Sequence, residues 1–131
     1  MEEKQLKLYS NGNMIDATLV FEESEHPFVQ LLSAAFSSEK FESNKLYFCM
    51  RKLHEVLDSK NLKLLCNSFR YDVYPSRMSI SMGHGILAYK LVMGQPGTEL
   101  VNIFDETDRL DLLGTLEEQE KYYDSWIESF K

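Results

Sequence analysis

The hydrophobic patterns along this 131-residue chain predict an α+β domain. They give an antiparallel sheet of about five strands in the order β-β-α-α-β-β-β-α, with helices packed mainly on one face. Three observations carry this. Alternating apolar residues flank an Asn-Gly pair near the N-terminus, the signature of a tight hairpin. Two later stretches repeat apolar residues at three-and-four spacing, as helices do. No βαβ alternation and no glycine-rich strand-to-helix turn is present, which argues against a parallel nucleotide-binding sheet. With 44% hydrophobic and 12% aromatic residues, residues 1–131 read as one globular domain that needs neither disulfides nor metal to hold its core.

The elements follow in order. Leu6 and Leu8, then Ile15, Ala17, Leu19 and Phe21, alternate with mostly polar neighbours on either side of Ser10-Asn11-Gly12-Asn13. Asn11 and Gly12 tolerate the two positive φ angles of a type I′ turn. Pro27 suits the first position of a helix, and Phe28, Leu31, Leu32, Ala35 and Phe36 form a stripe that predicts one there. Residues 37–43 read as a linker. A second helix is predicted from Asn44 to Asp58, with Leu46, Cys49, Met50, Leu53 and Leu57 on one face. Tyr47, Phe48 and Val56 widen that face toward burial on more than one side.

Leu62 to Tyr74 reads as a long strand ended by Pro75. Leu87–Met93 and Leu100–Phe104 form a second hairpin around the turn Gly94-Gln95-Pro96-Gly97. Thr115-Leu116-Glu117-Glu118 is a capping box, in which the Thr hydroxyl and a Glu carboxylate satisfy each other's backbone N–H groups. It opens a C-terminal helix with Leu116, Tyr123, Trp126, Ile127 and Phe130 on one face.

The net charge of −7 is unevenly placed. Acids and bases balance over residues 1–98, so the whole excess lies in residues 99–131. A surface of that sign repels nucleic acid and anionic membranes and steers a basic protein toward it. Tyr122 lies among the acids of the C-terminal helix, and an aromatic ring there suits recognition of a cationic surface. The candidate partner-binding residues are therefore Asp105, Glu106, Asp108, Asp111, Glu117, Glu118, Tyr122 and Asp124. An ordinary solvated face is the plainer alternative.

The segment from Arg70 to Gly85 is the other candidate. Arg70 and Arg77 would hold an anion, Tyr74 and Ser76 would line the loop, and Asp72 or His84 would move a proton. Equally, Asp72 would bridge Arg70 or Arg77, and Met78, Ile80 and Met82 would plug the core with glycines serving the turn. Gly83-His84-Gly85 lacks the frame of a phosphate loop and precedes a strand. His26, His54 and His84 lack metal-ligand spacing, so neither metal nor cofactor is expected. Cys49 and His54 turn away from each other on one helix. Cys66 and His84 could meet across the sheet, but both cysteines sit in apolar stretches and read as reduced core thiols.

The strings Asp72-Val73-Tyr74-Pro75-Ser76-Arg77-Met78, Met82-Gly83-His84-Gly85, Ala88-Tyr89-Lys90-Leu91, Gly94-Gln95-Pro96-Gly97 and Val101-Asn102-Ile103-Phe104-Asp105 cover about a quarter of the chain. Together they resemble a family of small bacterial proteins, itself similar to immunity proteins that neutralise toxins of bacterial competition systems. Arg77 stands where that family usually has Gly. The resemblance implies a binding protein with a toxin domain as partner and assigns no catalytic residue. The expectation is thus a cytoplasmic, non-enzymatic immunity or antitoxin protein, with the acidic N-terminal Met1-Glu2-Glu3-Lys4 read as neither signal nor transit peptide. Alternatives are a small ligand-binding domain or enzyme using the Arg70–Gly85 loop, or a homo-oligomer pairing a strand edge.

Overall fold

The computed structural model describes residues 1–97 and 99–131. Its first feature is the expected hairpin, β1 (Glu2–Ser10) and β2 (Asn13–Glu22), closed by Asn11 at φ 48° and Gly12 at φ 84°. Leu6 pairs with Ala17 and Leu8 with Ile15. Leu6, Leu8, Ala17 and Leu19 are buried, whereas Gln5, Lys7 and Asp16 alternate with them on the exposed face.

The stretch after Pro27 differs from the sequence expectation. It is not a helix but a third strand, β3 (Phe28–Ser33), antiparallel to β2 with Leu19 opposite Leu31 and Phe21 opposite Val29. The helical stripe was a coincidence of spacing: Val29 and Leu31, two residues apart, are fully buried, and Leu32 is exposed. Six extended residues also satisfy the ladder groups along the outer edge of β2, which a helix leaves unpaired. The presumed linker contributes the short β4 (Phe41–Glu42) against β3. A brief β5 (Lys63–Leu64) joins β1, so the sheet runs β4-β3-β2-β1-β5.

Helix α1 (Leu46–Ser59) lies against this sheet and buries Leu46, Cys49, Met50, Leu53 and Leu57. Tyr47 and His54 are buried as well, so the helix is covered on more than one side. Its entry residue Lys45 makes no side-chain cap. The missing acceptors come from His84, whose Nδ1 receives the Leu46 N–H at 3.3 Å and whose carbonyl receives the Tyr47 N–H at 2.9 Å.

The long strand expected over residues 62–74 is broken into β5, a 3₁₀ turn at Asn67–Phe69 and β6 (Val73–Tyr74). Leu64, Leu65 and Cys66 are all buried, so alternation there carried no facing information. The chain bends where the Asn67 and Ser68 N–H groups donate to the carbonyls of Asp105 and Ile103. Strand β6 opens a second sheet, β6-β7-β8, with β7 (Leu87–Lys90) and β8 (Glu99–Asn102) forming the predicted second hairpin. Residue 98 of that hairpin lies outside the described residues. The rings of Phe21 and Phe104 stack at 4.0 Å and tie β2 to the chain just past β8, within a core that spans both sheets.

Between the sheets' strands, the presumed 76–86 loop is a short helix, α2 (Arg77–Gly83), capped by the Ser76 hydroxyl accepting from the Ser79 N–H. Gly85 follows at φ 73°, and a Cβ there would fall 2.6 Å from the Cβ of Tyr47, so only glycine lets this junction rest on α1. Helix α3 (Leu116–Glu128) begins with the expected capping box of Thr115 and Glu118. The apolar face expected for it is only partly covered, with Phe130 exposed; its buried residue is Gln119. The fold is α+β, antiparallel, with helices against the sheet.

Candidate functional site

Most of the site candidates in the Arg70–Gly85 segment are engaged in holding the fold, Arg77 excepted. Arg70 and Asp72 are both buried, at 8% and 7% exposure. The guanidinium donates through Nε and Nη2 to the two carboxylate oxygens, each at 2.8 Å. Of the bridges open to Asp72, the structure forms the one to Arg70. Tyr74 donates its hydroxyl to the Glu120 carboxylate at 3.0 Å and stacks on Tyr123 at 4.1 Å, and burial pushes its phenol well above the ordinary range. Ser76 caps α2, and His84 caps α1. Arg77 is exposed on the opening turn of α2. Tyr74 and Ser76 share a cleft of about 170 Å³ with Tyr123 and Trp126, but Arg70, Asp72, Arg77 and His84 do not line it.

The methionines of this segment do not plug the core. Met78 is 70% and Met82 82% exposed, and only Ile80 packs against the buried cluster. A seven-residue helix explains this: its inward positions are few, and Ile80 takes one. With Leu87, Tyr89 and Leu100 the two methionines line an open apolar cleft of about 400 Å³ between α2 and the second hairpin.

The acidic candidates fall into two groups. Asp105 forms a 2.9 Å ion pair with Lys4 on β1, and the backbone of Glu106 bridges to Cys66. Asp111 grips Arg109 through two hydrogen bonds of 3.0 and 2.9 Å. That bond holds the Asp111 carboxyl below the usual carboxylate range. On α3, Glu117 pairs with Lys121 one turn on, and Glu118 closes the capping box. Asp108 and Asp124 are exposed and make no ion pair among the described residues.

Tyr122 sits apart from the solvated stripe of α3. Its hydroxyl donates to the Leu91 carbonyl at 3.1 Å, and its ring meets Tyr71 edge to face, 5.1 Å between centroids at 64°. These two rings, with Glu118, Lys121 and Ser125, line a shallow cleft of about 280 Å³. The sequence pointed to Tyr122 and Glu118 but missed Tyr71, which lay inside the presumed long strand. Gly114 is the signal that was available: a Cβ there would lie 2.9 Å from the Tyr71 Cβ and 3.3 Å from the Glu118 Cβ.

On the opposite flank of α3, Arg51 donates to Tyr47 at 3.1 Å and pairs with Glu120 at 3.1 Å, which in turn accepts from Tyr74. This network joins α1, α3 and β6 and has no reactive group left over. Cys66 is fully buried, and burial pushes its thiol up to about 11. Its sulfur lies 3.3 Å from the Ser68 hydroxyl, and the imidazole of His84 is spent on α1. Among the described residues no cluster of His, Cys, Asp or Glu has the arrangement to hold a metal ion, and no helix is long and apolar enough to cross a membrane. No protein-family model matches the chain, and no curated protein matches it in sequence.

Proposed function

We propose that this protein works by binding, as a cytoplasmic immunity or antitoxin protein that holds a basic toxin partner against its acidic C-terminal surface. One observation supports this above the others: the bases of the last quarter are already matched from within it. Arg109 pairs with Asp111, Lys121 with Glu117 and Lys131 with Glu128. Lys4, Arg51 and Lys90 reach in to Asp105, Glu120 and Glu99. Among the described residues Glu106, Asp108, Glu118 and Asp124 still lack an ion-pair partner, and they leave an outward negative field that a cationic surface would complement. The competing anion-site reading of the Arg70–Gly85 loop loses one of its two guanidiniums, Arg70, to Asp72 and its imidazole to α1, which leaves Arg77 alone on the surface.

Co-expression with the products of neighbouring genes tests this directly. A gene product that is toxic alone and tolerated with this protein is expected, captured by it at low salt and released as salt rises. Reversal of charge at Asp108 and Asp124 should slow association by about tenfold and flatten its salt dependence. Unchanged kinetics in that double variant would reject the acidic surface as the docking face.

A further inference from the structure

The cleft lined by Tyr71 and Tyr122 has features that an acidic surface does not need for steering alone. Its two aromatic walls support each other: Tyr122 is tethered by its hydroxyl to the Leu91 carbonyl, and the Tyr71 ring packs edge to face against it, its backbone held by an N–H bond to the Leu112 carbonyl at 2.9 Å. Its carboxylate is fixed. Glu118 Oε1 accepts the Thr115 N–H at 2.9 Å, while Oε2 makes no hydrogen bond among the described residues. The backbone is pared to Gly114 where it would otherwise force Tyr71 and Glu118 apart. Lys121 lines the rim, but its ammonium is held by Glu117 at 3.0 Å.

We propose that this cleft receives one arginine side chain of the basic partner, the guanidinium lying on a tyrosine face and donating to the free oxygen of Glu118. A planar, weakly hydrated cation gains from an aromatic face and a carboxylate together, where an ammonium gains mainly from the charge. Seated there, an arginine would be a localised anchor within an otherwise diffuse electrostatic encounter. The inference rests on the acidic surface being the docking face.

The test needs no partner. The full-length protein is titrated with the tripeptide acetyl-Gly-Arg-Gly-amide, its citrulline counterpart and its lysine counterpart, followed by NMR. Saturable shifts confined to Tyr71, Gly114, Glu118, Tyr122 and Ser125 are expected with the arginine peptide. Citrulline should bind weaker by about fivefold or more, and lysine weaker as well. Glu118→Gln keeps the capping box and should lose the selectivity for arginine over citrulline, whereas Glu25→Gln, at an exposed acid outside the C-terminal quarter, should change nothing. Shifts scattered over all the acids and indifferent to Glu118→Gln would overturn the cleft while leaving electrostatic steering intact. Equal or tighter binding of the lysine peptide, or no binding of any of the three, would also overturn it. Failure of the docking face itself reads out separately, in unchanged partner association on reversing Asp108 and Asp124.

Discussion

Arg70 and Asp72, two residues apart in sequence, close a bidentate ion pair inside the protein, with both hydrogen bonds at 2.8 Å. The backbone around them is also spoken for: the Arg70 carbonyl accepts from Gln119, and the Asp72 carbonyl from the Leu91 N–H. The pair therefore stitches the turn after Phe69 to both α3 and the second sheet. Arg70 and Asp72, two of the residues named for an anion site, form a structural joint.

The first expected outcome concerns that joint. Asp72→Ala leaves a guanidinium buried without its counter-charge and should cost about 3–5 kcal/mol in urea unfolding. The double variant Arg70→Met, Asp72→Leu removes both charges and should lie far closer to the wild type. Equal losses in the two variants would mean that shape, not charge pairing, is what the site supplies.

Gln119 is the second. At 1% exposure it donates its amide to the carbonyls of Ser68 and Arg70, each at 2.8 Å. Gln119→Leu keeps the bulk but strands two buried acceptors, at about 1–3 kcal/mol for each. A drop in thermal midpoint larger than that of Ser125→Ala on the exposed side of the same helix is expected.

Acid sensitivity should trace to His54. Burial lowers its basicity, against the opposing pull of Asp58; Nε2 meets the Gly114 carbonyl at 2.8 Å, and the ring stacks on Phe69. Its folded pKa lies below the unfolded value of about 6.5, so the unfolded chain takes up the proton first. Its contribution is full above about pH 6.5 and is lost as pH falls below it. The denaturant midpoint should thus drop from pH 7.5 to pH 5.5, and His54→Gln should shrink that drop even though it lowers both midpoints.

Exposure orders the sulfur chemistry. Dilute peroxide should oxidise Met78 and Met82 well before Met50, which is 1% exposed, as read by peptide mass spectrometry. Iodoacetamide should reach Cys66 only as fast as the protein opens, because the thiol is buried and its ionisation pushed up to about 11.

Local chemistry in the sequence determined whatever depended on near neighbours. Asn11-Gly12 specified the first hairpin, Thr115 with Glu118 specified the start of α3, and the stripe of Leu46, Cys49, Met50, Leu53 and Leu57 specified α1. Uneven charge was legible for the same reason, since it needs only a count. Tertiary structure decided what depended on distant partners. Phe28–Ser33 became a strand because the edge of β2 was there to pair with it, overriding a stripe that fits either period. The 62–74 segment broke because carbonyls of Ile103 and Asp105 captured its N–H groups. The cleft was hidden in the same way: Tyr71 and Tyr122 are 51 positions apart and meet only because Gly114 lets α3 close on the turn that carries Tyr71. Short-range hydrogen-bond geometry can be read along a chain, whereas competition for an open sheet edge or a buried polar group is settled only once the rest of the fold supplies the competitors.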